Sequence, residues 1–377
     1  MHVSCILRSA KKGKAFVIIR DARSYTYSLQ LKAPLRRKEE VVVRRKGVLF
    51  FLQGEEDFIG WGEAAPLPGF SRITLQEAQA LGRAAAKAVT GRSIADARNW
   101  LTPEQSGDPS VYFAFHQAFR VLAQEHEEEK KDSCTVALCS LLDGDLNETE
   151  ARLQAGLAEG CRCFKLKVAR RSLAEETDLV AHILSQLPSD STLRLDANRG
   201  WTYDEALAFC CSVPLEKIAF IEEPLQDWRQ IPRLQTESGI ACAVDECLQD
   251  MSALLLFRAD HDREALMHAY RTVVEAACYL VWKPSLSFPP EALGLDIRKR
   301  CILSGAYESG VGTAAVLEEA LRRGGASLAA GVDTYSRLAE DLLLTPLHLE
   351  GNRADARLFI PAGQAVDVTH LEECCCE

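Results

Sequence analysis

From about residue 160 the chain repeats one pattern: a short β-prone run ending on a charged residue, a polar loop, then an amphipathic helical segment. The runs are Cys163 to Val168, Thr192 to Asp196, Ile218 to Glu222, Ala241 to Asp245, Cys278 to Lys283 and Cys301 to Ser304. Between the first two, Ser172 with Glu175 reads as a capping box, and Leu173, Val180, Ile183, Leu184 and Leu187 recur at helical spacing. Thr202 with Glu205 opens the next helix in the same way. After Glu222, Asp227 caps a helix carrying Trp228, Ile231 and Leu234, which Gly239 stops. Strands alternating with helices at this spacing require right-handed crossovers and a parallel sheet covered on both faces. Adding Thr135 to Leu141 before the series and Ser327 to Val332 after it makes eight strands. The pattern predicts an α/β fold, a (β/α)8 TIM-type barrel over residues 126–340.

Residues 1–125 read differently. Val41 to Val43 and Val48 to Leu52 look like hairpin strands, Thr74 to Val89 and Ser110 to Glu125 like helices, so a separate α+β capping domain is expected. Residues 341–377 return to short strands around His348, Leu349 and Leu358 to Pro361, expected to pack back on that domain, before a disordered Cys374 to Cys376 tail. The net charge of −10, with no face rich in Lys or Arg, argues against nucleic acid or an anionic membrane and for a small-molecule ligand. Met1 to Phe16 holds no signal-peptide core, and no apolar run approaches the ~20 residues of a membrane span, which together predict a cytoplasmic protein. None of the 14 cysteines forms a C-x-x-C pair, so buried free thiols are expected. His116 and His126, near the charge run Glu125 to Lys131, are expected on a solvated face.

In such a barrel the active site lies where strands end. Those ends carry Lys165 and Lys167, Asp196, Glu222, Asp245 and Lys283. Carboxylates facing a core are costly to bury unpaired, and a cation would relieve that cost. With no His or Cys among them, they favour Mg²⁺ or Mn²⁺ over zinc. Residues two apart on a strand share a face, so Lys165 and Lys167 point into the barrel together, as do Arg194 and Asp196. A lysine with its ordinary pKa of about 10.4 is protonated at neutral pH and a poor base. Burial and neighbouring positive charge lower that value, which marks Lys167, beside Lys165, Lys283 and the metal, as a general base. A base on one wall and a cation on the other suit proton abstraction alpha to a carboxylate. Buried salt bridges at the barrel rim are the structural alternative.

The strings FKLKV (Phe164 to Val168), LRLDAN (Leu193 to Asn198), FIEEP (Phe220 to Pro224), VDECL (Val244 to Leu248), VWKP (Val281 to Pro284), SGAYESGVG (Ser304 to Gly312) and GWGEAAPLPGF (Gly60 to Phe70) resemble the enolase superfamily. Within it they are most similar to the o-succinylbenzoate synthase family, dehydratases of menaquinone biosynthesis. Enolase-superfamily sites pair a Lys or His base with Mg²⁺, so that pairing comes with the resemblance. The resemblance implies that Asp196, Glu222 and Asp245 bind Mg²⁺ (or Mn²⁺), that Lys167 abstracts the proton with help from Lys165, and that Lys283 faces the enediolate from the other side. In a syn dehydration the protonated Lys167 then serves the departing hydroxyl. Arg194 is implied to attract a substrate carboxylate, and the Ser304 to Ser309 loop, with Gly305 and Glu308, to hold the succinyl end. Asn198 and Glu246 are implied to orient the ligands. Gly60 to Phe70 resembles the loop that closes over the barrel mouth, where Trp61 and Phe70 suit core packing and substrate contact equally. Two departures are Gly305 and Ala306 where the family loop is commonly serine-rich, and Ser285 to Pro290 in place of a glycine-containing turn.

Alternatives stay open. Racemisation of N-acylamino acids, dipeptide epimerisation and muconate-type cycloisomerisation also use opposed lysines, although near the eighth strand only Asp333 offers an epimerase's aspartate. Gly310 to Ala315 fits G-x-G-x-x-A, with Asp333 about twenty residues on, which is the pattern of an NAD-dependent dehydrogenase. That fingerprint normally sits at the first strand-to-helix turn of its domain. The same amides would otherwise hold an anionic substrate group. A barrel retained only as a scaffold is the non-enzymatic alternative.

Overall fold

The computed structural model describes residues 17–37, 40–55, 58–123, 135–256, 261–295, 300–323, 328–349, 351–355 and 365–374. Met1 to Phe16, Glu125 to Lys131 with His126, Ser327, Leu358 to Pro361, Cys375 and Cys376 lie outside them.

The N-terminal part is a four-stranded sheet with helices on one face. Strands β1 (Asp21–Arg37), β2 (Glu40–Gln53) and β3 (Ile59–Ala64) run antiparallel, and the sheet order places the last strand of the chain beside β1. The two hairpin strands expected around Val41 and Val48 are one continuous strand, because pairing with β1 runs from Asp21 opposite Gln53 to Arg37 opposite Glu40, interrupted by a single bulge. Helices α1 (Leu75–Val89), α2 (Ile94–Trp100), α3 (Pro103–Ser106) and α4 (Pro109–Leu122) follow. Thr74 and Glu77 form a capping box at the start of α1, and Asp108 caps α4. Val48, Phe50 and Leu52 of β2 pack against Phe115 and Phe119 of α4, with Phe50 and Phe115 stacked at 4.7 Å. Helix α4 lies so close to β3 that a Cβ on Gly62 would stand 1.7 Å from the Ala114 carbonyl oxygen.

The expected first barrel strand is split. Strand β4 (Thr135–Ala137) pairs antiparallel with a C-terminal strand, and β5 (Ser140–Leu142) enters the parallel sheet. The barrel then alternates α5 (Leu146–Ala158), β6 (Cys163–Lys167), α6 (Leu173–Gln186), β7 (Thr192–Asp196), α7 (Tyr203–Ser212), β8 (Ile218–Glu222), α8 (Ile231–Ser238), β9 (Cys242–Val244), α9 (Glu246–Leu256), α10 (His261–Ala276), β10 (Tyr279–Trp282), β11 (Cys301–Leu303) and α11 (Gly310–Arg322). The predicted capping boxes at Ser172/Glu175 and Thr202/Glu205 are formed, and Gly239 ends α8 in the left-handed region at φ 75°. A 3-10 turn at Trp228–Gln230 precedes α8, so the expected single helix comes in two pieces.

β5 to β11 form one parallel seven-stranded sheet. Its edges meet at the eighth stave, Ala330 and Gly331. The Ala330 amide donates to Ala137 (2.7 Å) and its carbonyl accepts from Cys139 (2.9 Å), while the Gly331 amide donates to Leu303 (2.9 Å) and its carbonyl accepts from Gly305 (2.9 Å). The ring closes, and Phe220, Ala243, Val281 and Ile302 fill its interior. The chain finishes with β12 (Arg353–Asp355) on β4 and β13 (Leu371–Glu373) on β1, and the Cys374 amide donates to Ser24 at 3.0 Å. Among the described residues no helix is long and apolar enough to cross a membrane. Cys139, Cys161, Cys163, Cys210, Cys242, Cys247 and Cys301 are buried free thiols.

Candidate active site

Period-two alternation on the strands assembles the site. On β6, Phe164 and Leu166 face the helical layer and join the main core, which turns Lys165 and Lys167 inward. Parallel register then sets Lys165 beside Arg194, Lys167 beside Asp196, and Asp196 beside Glu222. Asp245 follows β9 and Lys283 follows β10, so the charged side chains converge at the C-terminal ends of the strands.

Acids and ammonium groups interleave. Lys165 Nζ lies 2.7 Å from both Asp196 Oδ2 and Glu222 Oε2. Lys167 Nζ donates to Asp196 Oδ2 at 2.6 Å and to Asn198 Oδ1 at 2.7 Å. Lys283 is paired with Asp245 and stands 3.9 Å from Glu222 Oε1. Asn198 Nδ2 donates to Glu246 Oε1 at 3.0 Å, so Asn198 and Glu246 both border the cluster. The three acids are 0–1% exposed.

This packing separates the three lysines. Burial lowers Lys165, yet Asp196 and Glu222 outweigh it and hold the ammonium above the ordinary lysine range. Lys283 is likewise raised, burial being overcome by Asp245 and Glu222. Lys167 goes the other way: burial, with Lys165 and Lys283 nearby, lowers it despite Asp196. Asp196 is itself held well below the usual carboxylate range, its burial overcome first by Lys165. Asp196 thus holds the Lys165 ammonium group more firmly than that of Lys167. One oxygen, Asp196 Oδ2, is shared between Lys165 and Lys167.

The donor set fits a hard divalent cation. Burial and then Asp196 push Glu222 up, and Glu222 Oε1 is buried with no hydrogen-bond partner. Burial and then Asp245 push Glu246 to about 8, and its Oε2 is also buried without a partner. Among the described residues, Asp196, Glu222 and Asp245 are paired with the ammonium groups of Lys165, Lys167 and Lys283. Among the described residues no three acidic, His or Cys side chains are already disposed as a ligand cage. Lysines stand between the acids in this arrangement, but the orphaned Glu222 oxygen and the all-oxygen donors suit Mg²⁺ or Mn²⁺.

Other expected residues lie elsewhere. Arg194 is buried within the barrel, donating to the Ala329 carbonyl at 2.8 Å with its guanidinium 5.3 Å from the Phe220 ring. Ser304 donates its hydroxyl to Gly331 O (3.0 Å). Glu308 is 1% exposed and ties two loops together by accepting from Ser285 Oγ (2.6 Å) and Ala306 N (2.5 Å). Ser309 caps α11 and is buried against the capping domain. The expectation that the α11 N-terminus holds a dinucleotide or an anionic substrate group is corrected: Glu63 of β3 fills that place, accepting from Gly312 N at 2.8 Å and Ser309 N at 2.9 Å. His116 is not on a solvated face, since it is partly buried with its ring 4.2 Å from that of Tyr112. It lines a cavity of about 210 Å³ with Phe113, Trp282 and Arg323. That cavity lies outside β10, because Trp282 faces away from the interior that Lys283 enters. Trp61 is core packing, buried against Tyr25 and Phe51.

A second network was not foreseen. Glu223, fully buried at φ 41°, accepts from the amides of Asp245 (3.0 Å) and Cys247 (2.7 Å). Arg199 at φ 59° bonds Glu223 Oε2 (2.9 Å) and Asp250 (2.8 Å), and Arg72 of the capping-domain loop reaches the other oxygen of Asp250 at 3.0 Å. Its sequence signal is the second Glu of FIEEP and the Arg following LRLDAN.

Comparison with known proteins matches two family models, "Enolase C-terminal domain-like" over residues 148–260 and "MenC, N-terminal domain" over residues 19–122. The chain is 34% identical over 242 residues to the o-succinylbenzoate synthase of Yersinia enterocolitica, covering 62% of this chain and 68% of that one. It is also 34% identical over 235 residues to that of Klebsiella pneumoniae, with the same shares covered. The fold resembles the o-succinylbenzoate synthase of Thermosynechococcus elongatus, solved with Mg in the active site (TM-score 0.66, 22% identity, 87% of this chain and 97% of that one). It equally resembles the L-Ala-D/L-Glu epimerase of Bacillus subtilis (TM-score 0.68, 17% identity, 90% and 96%). With both domains matched and the barrel's charged strand ends in register, the chain belongs to the enolase superfamily, in the family that contains those o-succinylbenzoate synthases.

Proposed function

We propose that this protein is a lyase that dehydrates 2-succinyl-6-hydroxy-2,4-cyclohexadiene-1-carboxylate to o-succinylbenzoate, with Mg²⁺, in menaquinone or phylloquinone biosynthesis. The observation that carries the reading is the placement of the lysines: Lys167 on β6 reaches the acid cluster at Asp196 and Asn198, and Lys283 after β10 reaches it from the facing side at Asp245, with Lys167 lowered and Lys283 raised. A base and an ammonium group then face one substrate from opposite sides. Lys167, in its neutral form, would take the proton from the carbon bearing the ring carboxylate, leaving an enediolate. Lys283, kept protonated by Asp245 and Glu222, faces that negative charge. The proton on Lys167 passes to the departing hydroxyl as the C–O bond breaks, releasing water and an aromatic ring. Asp196, Glu222 and Asp245 would hold Mg²⁺, which supplies positive charge beside the substrate carboxylate. Lys165, spanning Asp196 and Glu222, keeps those acids together and adds to the lowering of Lys167. A small-molecule carboxylate as partner and a cytoplasmic setting belong to the same proposal.

The relatives named o-succinylbenzoate synthase support this reaction. The opposed lysines also suit racemisation of an N-acylamino acid, in which Lys283 would return the proton. The test follows loss of diene absorbance with purified protein and Mg²⁺, with product identified by mass. Turnover to o-succinylbenzoate is expected. No diene consumption, together with solvent deuterium entering an N-acylamino acid at its alpha carbon, would replace dehydration by racemisation.

A further inference from the structure

Glu63 carries a buried carboxylate from the capping domain into the barrel. It is fully buried. Its Oε1 accepts from the Tyr27 hydroxyl and from the Ser309 amide at 2.9 Å, and its Oε2 accepts from the Ser309 hydroxyl and from the Gly312 amide at 2.8 Å. These partners are neutral donors, and three of them come from Ser309 and Gly312 at the start of the 13-residue helix α11. A helix N-terminus stabilises an anion through its free N–H groups and its dipole. Here the anion is supplied from within the chain. Gly312 permits the approach, since a Cβ there would stand 2.9 Å from Glu63 Oε2 and 2.7 Å from the Glu308 Cβ.

A buried cation works alongside it. Arg45, 1% exposed, donates to the carbonyls of Tyr307 (2.9 Å), Pro66 (2.8 Å) and Ala65. Tyr307 sits at φ 65°, a left-handed conformation that an aromatic residue adopts only when its surroundings hold it there. Arg45 therefore ties Tyr307 to Ala65 and Pro66, while Glu63 ties Ser309 and Gly312 to β3.

The geometry points to Glu63 as a positioning residue for substrate recognition: it fixes the 304–309 loop at the barrel mouth by occupying the N-terminus of α11. The role in recognition rests on the function proposed above, whereas the fixing of the loop does not. A Glu63→Gln substitution tests it sharply. Each carboxylate oxygen accepts one backbone N–H and one hydroxyl. Either hydroxyl can rotate to accept from the new amide NH₂, but a backbone N–H cannot, so one buried N–H loses its partner in either orientation of the amide.

The expected result for Glu63→Gln is a KM raised about tenfold or more, with kcat within about threefold of wild type. Mg²⁺ affinity by calorimetry stays at the wild-type value, and amide hydrogen exchange of residues 304–312 is faster by about tenfold. Tyr27→Phe, which removes one donor and leaves the backbone contacts, moves KM and exchange in the same direction by less, and decides the matter should Glu63→Gln not fold. Unchanged KM and unchanged exchange in a folded variant overturn the proposal, as does a fall in kcat at constant KM. If wild type does not consume the diene, the reaction assignment fails by itself. Exchange then decides the positioning claim: acceleration at 304–312 supports it, and wild-type exchange overturns it.

Discussion

Replacing Lys167 by alanine separates base catalysis from metal binding. Loss of a positioned general base costs about 10²- to 10⁴-fold in rate. The upper part of that range is expected, because neither remaining lysine can substitute: Lys165 is raised by Asp196 and Glu222, and Lys283 by Asp245 and Glu222. Metal binding should change in the opposite sense. Lys167 Nζ lies 2.6 Å from Oδ2 of Asp196, one of the acids that would hold Mg²⁺. At an effective dielectric of about 20, two unit charges about 4 Å apart interact by about 4 kcal/mol, so removing that ammonium relieves a repulsion on this order at most. Asp196 keeps Lys165 at 2.7 Å and is not left as an isolated buried charge. The assay pairs diene consumption with calorimetric Mg²⁺ titration of the same preparation. Turnover within about tenfold of wild type would refute the assignment of Lys167 as base. Near-complete loss of Mg²⁺ binding would instead show that the lysine's role is to organise the acids.

Asp245→Asn is expected to weaken Mg²⁺ affinity and turnover together, since it removes an anionic donor and the partner of Lys283; unchanged affinity in calorimetry would remove Asp245 from the ligand set. Asp108, 5% exposed at the cap of α4, is pushed by burial to about 6 from an ordinary 3.8. The native state therefore binds more protons than the unfolded chain between about pH 4 and 6, so this group's contribution is fully present below about pH 4 and is lost as pH rises through about 6. The rise from 3.8 to about 6 corresponds to at most about 3 kcal/mol. Urea midpoints of wild type and Asp108→Asn should diverge in the variant's favour over that interval, and parallel pH profiles would refute the shift. Gly62→Ala places a Cβ 1.7 Å from the Ala114 carbonyl oxygen, a backbone atom that cannot rotate aside. A loss of about 1–3 kcal/mol or more is expected in chemical denaturation, and wild-type stability would contradict the close packing of β3 on α4.

Local chemistry made much of the barrel legible. The capping boxes at Ser172 and Thr202 and the left-handed stop at Gly239 depend on residues within a few positions of one another. Alternation along β6 and β7 places Lys165, Lys167, Arg194 and Asp196 on one face whatever surrounds them. Local pattern predicts one first barrel strand where there are two, because Thr135–Ala137 finds its partner in Arg353–Asp355, more than two hundred residues away. The hairpin of the capping domain is longer than its apolar pattern predicts for a similar reason, since β2 is extended through Arg44, Arg45 and Lys46 by pairing with β1.

Sequence by itself determined that this chain alternates strand and helix, and which charged residues lie at the strand ends, since both follow from residue spacing and steric preference along a short stretch. Only the tertiary structure decided how far the three lysines part, with Lys167 lowered as its position had suggested, because burial and the charges that folding brings beside each ammonium group set its proton affinity: acids around Lys165 and Lys283, two other ammonium groups near Lys167. It likewise decided what occupies the start of α11. An exposed set of N–H groups specifies that its partner be negative but not where that charge comes from, and Glu63 lies 246 residues earlier in the chain.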